Sequence, residues 1–122
     1  MREQDKFFNF DIGTFTIGEQ LANRASDYQY GETILAQCNL NPPHEDLWVE
    51  CLIVDEQDRT IEQFGQFVTR EMMRANFFYR LGNKLIPGDY AVVLKSANQE
   101  ISRRAFSLSG TPCGTTECVV TN

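Results

Sequence analysis

Along most of this chain apolar and polar residues alternate with a period of two, and turn-forming residues break the alternation roughly every 8 to 12 positions. That is the pattern of strands with one buried face. Phe8, Phe10 and Ile12 alternate with Asn9 and Asp11 in a first strand, and Gly13 predicts a bulge or bend because Phe15 and Ile17 resume one step out of phase. Residues 18–30 are mixed and polar and predict a loop, with at most one helical turn over 19–23. Gly31 and Glu32 lead into a strand over 33–40, which Asn41-Pro42-Pro43 ends, since two prolines remove two ladder donors. Residues 47–54 are apolar on both faces, as in a central strand covered on both sides.

Asp55 to Asp58 predicts a polar hairpin turn, followed by strand segments over 60–64 and 66–69. Residues 70–76 fit one helical turn or an extended crossing equally well. Phe77, Tyr79 and Leu81 then alternate with Phe78 and Arg80. Pro87-Gly88-Asp89 is a turn in which Pro presets φ and Gly accepts a positive φ. Tyr90, Val92 and Leu94 face a core, residues 97–100 turn, and 101–108 form the last long strand. About seven to eight strands of this kind predict a single all-β antiparallel sandwich over residues 1–110, followed by a tail over 111–122.

Residues 85–94, Leu-Ile-Pro-Gly-Asp-Tyr-Ala-Val-Val-Leu, resemble the entry to the penultimate strand of immunoglobulin-like and fibronectin-type-III-like sandwiches. The resemblance extends over residues 28–108, with 30–34 similar to the entry of the second strand and 47–63 to a following hairpin. It implies that Tyr90 caps the corner before its strand, its hydroxyl bonding back to main chain, with Pro87 and Gly88 shaping the approach. Val92 stands where antibody domains carry a cysteine. Trp48 matches the tryptophan of the third strand, yet Trp48 and Cys51 are three apart, so only one of them packs inward. Such domains serve in extracellular binding, adhesion and spacing, so the resemblance implies an exported setting.

The chain has 122 residues, 42% of them hydrophobic, which suits one domain with a real core. Its apolar runs are far too short for a transmembrane helix, and residues 1–11 lack the apolar centre of a signal peptide. That feature favours the cytosol, whereas the resemblance and the even number of cysteines favour an oxidising setting, so a secreted, periplasmic or cell-surface location is the expectation over a cytoplasmic one. A net charge of −6 argues against binding duplex nucleic acid or anionic membrane by bulk attraction. The charge is uneven, −8 over residues 1–61 and +2 over 62–122, which leaves self-association open. Arg70, Arg74, Arg80, Lys95, Arg103 and Arg104 are candidates for a basic patch, with an ordinary solvated face as the simpler reading.

Four cysteines allow three pairings. Cys113 and Cys118 suit a small loop disulfide in the tail, and Cys38 and Cys51 lie on consecutive strands where a bridge competes with two buried thiols. Cys38, His44 and Cys51 form only an irregular metal-ligand set, so no metal or cofactor is expected. His44, the one histidine, lacks the partners of a catalytic base and reads as a surface-loop residue. Asp55, Glu56 and Asp58 lack the order of a calcium loop. No catalytic or phosphate-binding signature is present, and no enzyme is expected.

The aromatics carry the remaining information. Phe7-Phe8 and Phe77-Phe78 are adjacent pairs, so one member of each faces away from the core. Exposed aromatics are enriched at protein interfaces. The resulting expectation is a non-enzymatic module that binds a protein or neighbouring domain through Phe7, Phe78, Trp48 and the His44-containing loop 41–46. The alternative is a small-molecule or carbohydrate binder with an aromatic platform at Trp48 or Tyr28 and Tyr30.

Overall fold

The computed structural model describes residues 3–18, 20–82 and 85–110. Among these residues a 3-10 turn at Glu3–Lys6 is followed by nine strands: β1 Phe7–Ile17, β2 Gln20–Arg24, β3 Asp27–Gln29, β4 Thr33–Leu40, β5 Leu47–Val54, β6 Thr60–Val68, β7 Arg74–Arg80, β8 Gly88–Ser96 and β9 Gln99–Ser109. They form two sheets, in the orders β2-β1-β4-β7 and β3-β9-β8-β5-β6. Every pairing is antiparallel except the short β3–β9 contact. The two extra strands fall in residues 18–30, where a loop with a helical turn was expected. Cross-strand pairing makes those polar residues extended, because Phe15, Thr16 and Ile17 of β1 supply a ladder for Ala22, Leu21 and Gln20. The predicted tail, with Cys113 and Cys118, lies outside the described residues.

The core fills the space between the sheets. From one sheet come Phe10, Ile12, Ile34, Ala36, Cys38 and Phe77; from the other Val49, Cys51, Ile53, Val92, Leu94 and Phe106. At about 25 cal/mol per Å2 this apolar burial is the main favourable contribution to folding. β5 is apolar on both faces because its outer side also packs: Leu52 and Val54 join Ala91 and Val93 of β8 in a second buried cluster. Arg103 on β9 reaches Asp58 of the β5–β6 turn at 2.9 Å, and both line the cleft over this cluster.

Gly13 is not a bulge. A β-carbon there would come within 2.9 Å of the carbonyl oxygens of Ala22 and Asn23, so glycine lets the β1–β2 hairpin fold closely over its own sheet. Leu21 is buried in consequence, and its N–H donates to Oε1 of the buried Gln37 at 3.1 Å. The register shift in β1 comes instead between Phe7 and Asn9. Residues 70–73 connect β6 to β7 without a helix, and β7 starts at Arg74.

Candidate binding surface

The sandwich has two long flanks, and their chemistry differs. On one, the first half of β1 lies near β9. Asp11 of β1 pairs with Arg24 at 2.9 Å and Arg104 of β9 at 3.5 Å. Tyr28 is buried behind these charges, its hydroxyl donating toward the carbonyl oxygens of Ala25 at 3.0 Å and Gly13 at 3.3 Å. Its ring meets Phe106 edge-on, and Phe106 stacks on Tyr90. Burial pushes the Tyr28 phenol up to about 12. This flank is closed by hydrogen bonds, rings and ion pairs together.

The opposite flank is formed by β6 and β7, the terminal strands of their sheets. Phe64 and Tyr79 bridge them with ring centroids 5.4 Å apart. Among the described residues no strand pairs with the outer side of either, which leaves a row of backbone donors and acceptors for a partner. Over nine residues β6 carries one charged side chain, Glu62.

Beside this edge lies an aromatic shelf. Trp48 of β5 and Phe67 of β6 are direct cross-strand partners, 54% and 56% exposed. A β-carbon built at Gly65 would overlap the indole, so Trp48 lies against bare backbone there and leaves its other face open. Glu50, next on the same face, accepts a hydrogen bond from the Gln63 amide. A planar apolar surface is thus bordered by a carboxylate and an amide.

The expected site residues separate. Trp48 and Phe78 are exposed, but Phe78, at 64%, stands on β7 in the other sheet. Phe7 is buried and Phe8 is 62% exposed, the reverse of the expected choice, because the register shift after Phe7 turns its ring onto the core. His44 is buried, contrary to a surface-loop reading. Its Nε2 lies 2.7 Å from the Met72 carbonyl oxygen and its Nδ1 2.9 Å from that of Glu45. Loop 41–46 is tied down further by Lys6–Glu45 at 2.8 Å and by the Arg70 N–H on Asp46 at 2.7 Å. The loop is therefore a structural clasp between β4 and the β6–β7 connection.

Tyr28 is buried and Tyr30 spends its hydroxyl on the Leu85 carbonyl, so neither forms an open platform. Cys38 and Cys51 are free thiols facing the core instead of the bridge considered for them. Desolvation pushes both up to about 12, which suppresses the thiolate and its reactivity. Among the described residues no cluster of His, Cys, Asp or Glu could hold a metal ion. Asp55 is held below the usual carboxylate range by the Arg59 backbone and side chain and the Gln57 N–H. The basic residues are dispersed, with Arg70, Arg103 and Arg104 each paired to acids. Phe67 escaped the sequence reading because Gly65 looked like a strand break. The available signal was Phe64 and Phe67 three apart, hence on opposite faces.

At the corner before β8, the Tyr90 hydroxyl donates to the Ile86 carbonyl at 2.6 Å and accepts from the Ile86 N–H at 3.1 Å. Gly88 has a φ of +156°, inside the range that side chains disfavour.

No protein-family model matches the chain, and no curated relative matches it. Among solved structures, an immunoglobulin-like protein from Pseudomonas aeruginosa is similar over 88% of this chain and 100% of its own, with 11% identity and a TM-score of 0.61. A DNA-bound alkylpurine DNA glycosylase of Pseudomonas fluorescens is similar over 83% of this chain and 30% of its own, with 16% identity and a TM-score of 0.44. The two-sheet topology and the first of these likenesses establish an immunoglobulin-like β-sandwich fold.

Proposed function

We propose that this chain is a non-enzymatic interaction module whose β6–β7 flank binds another protein or a neighbouring domain. The observation that carries this reading is the shelf of Trp48 on β5 and Phe67 on β6, half exposed and side by side, with β6 a terminal strand that carries a single charge. Apolar rings next to unpaired backbone suit strand addition, in which main chain supplies affinity and side-chain contacts supply selectivity. Large exposed rings are also the side chains that dominate interface energetics. The test compares immobilised wild-type protein with the W48S/F67S and R103A/R104A variants in extract from cells that make it. Proteins held by wild type and R103A/R104A but released by W48S/F67S would bear the reading out. An identical set on all three would refute it.

A second reading has its own observation in favour. The free face of Trp48 beside Glu50 and Gln63 matches the stacking platform and polar border of a carbohydrate site. Titration with a glycan panel, read by Trp48 fluorescence, separates the two. A saturable change that W48F abolishes would favour the sugar, and no response would leave the protein partner.

A further inference from the structure

We infer that the occupant of the β6 edge is β6 of a second copy of this chain, joined antiparallel about a two-fold axis near Phe64 and Gly65. This rests on the β6–β7 flank being the recognition surface and names its partner. The first argument is chemical: among the described residues no strand pairs with the outer side of β6, and another extended strand completes such a ladder along its nine residues.

The second argument is charge. Two copies of a chain with net charge −6 repel, so a self-contact must fall where charge is sparse. The outer side of β9 ahead of its short β3 contact fails this test, since Glu100, Arg103 and Arg104 lie along it. On β6 the one charge, Glu62, is displaced from the middle of the strand. Antiparallel pairing about Phe64 sets Glu62 opposite Gln66 of the other copy, an amide that can donate to it. The two Glu62 residues are then about 14 Å apart along the strand direction at 3.4 Å per residue, beyond the screening length of about 8 Å at physiological salt. A parallel pairing would stack them.

The third argument is reciprocity. A two-fold contact uses the same patch twice. The outer-face positions of β6 are Gln63, Gly65 and Phe67, flanked by Trp48. Antiparallel pairing sends the exposed Phe67 of each copy toward the 61–63 end of the other. Both aromatic shelves then border one continuous ten-stranded sheet, five strands from each copy.

Sedimentation velocity over about 5 to 500 µM, with amide exchange at both extremes, tests this. The expected result is a concentration-dependent dimer in which amides of 60–68 exchange at least tenfold more slowly at the high concentration while those of 99–105 do not change. Gln63→Lys places a cation on the edge within reach of Glu50, so the fold is kept, and it should weaken dimerisation at least tenfold. Arg103→Ala should leave it unaltered. A monomer at every concentration overturns the proposal while leaving the extract experiment above free to succeed with another protein. A dimer without protection at 60–68, or one indifferent to Gln63→Lys, also overturns it.

Discussion

The two flanks of this sandwich close the same apolar core by different means. Along β1 and β9 the chain uses Tyr28, whose one hydroxyl proton is shared between the Ala25 and Gly13 carbonyls, the Phe106 ring, and Asp11 held by Arg24 and Arg104. Along β6 and β7 it uses one ring pair, Phe64 and Tyr79, and leaves Trp48, Phe67 and Phe78 exposed. Charged edges discourage strand pairing and uncharged ones invite it. The difference teaches that one small domain closes its two sides by different means; on the proposed function, stability and recognition fall on opposite sides, so that altering the second need not weaken the first.

Alkaline pH should disturb the closed flank and the core most. Cys38 and Cys51 are pushed from 9.0 to about 12 and Tyr28 from 10.0 to about 12, each chiefly by burial. All three are neutral when folded and ionise earlier when unfolded. Their contribution is fully present below the unfolded values and lost as pH rises toward the folded ones. Thermal melts should therefore show Tm falling from about pH 9 upward. In C38A/C51A the onset should move to about pH 10, and adding Y28F should remove most of the remaining slope.

Truncation at one flank and then the other measures the comparison directly. Tyr28→Ala should cost about 3–5 kcal/mol in urea unfolding, as for other large buried rings. Phe64→Ala, at a half-buried position, should cost only about 1–2 kcal/mol. Equal costs would contradict the division of labour.

Gly65→Ala should cost about 1 kcal/mol, since the new β-carbon displaces an indole that is free to swing into solvent. A shift in Trp48 emission at unchanged far-UV circular dichroism is the check. The smallest effect should come from Arg103→Ala, under about 1 kcal/mol, because its partners Asp58 and Glu100 are exposed and solvent screens them.

Much of the closed architecture was legible in the sequence because local pattern and tertiary role agree there. The strands at Thr33–Leu40 and Leu47–Val54 fall where alternation and double-sided apolarity put them. Pro-Gly-Asp-Tyr pointed to the corner at which the Tyr90 hydroxyl bonds Ile86. What escaped depends on partners distant in sequence. Residues 20–24 become a strand only because β1 pairs with them, and Gly13 is needed only where β2 crosses it. Gly65 looked like an interruption, whereas its missing side chain makes room for the Trp48 ring. For the surface, alternation identified an outward ring within Phe77-Phe78 but could not foresee the register shift that exchanges Phe7 and Phe8. His44 looked exposed in a polar loop, and only the fold brings the Met72 carbonyl to its ring.

Photo-crosslinking from the two flanks tests the central claim most directly. A benzoylphenylalanine is placed either at Phe67, on the open flank, or at Ala105, on the charged one, and both proteins are irradiated in the cells that make them. The account predicts a discrete adduct, to a second copy or to another protein, from position 67 and none from position 105. Adducts from 105 alone, or none from either position, would contradict it.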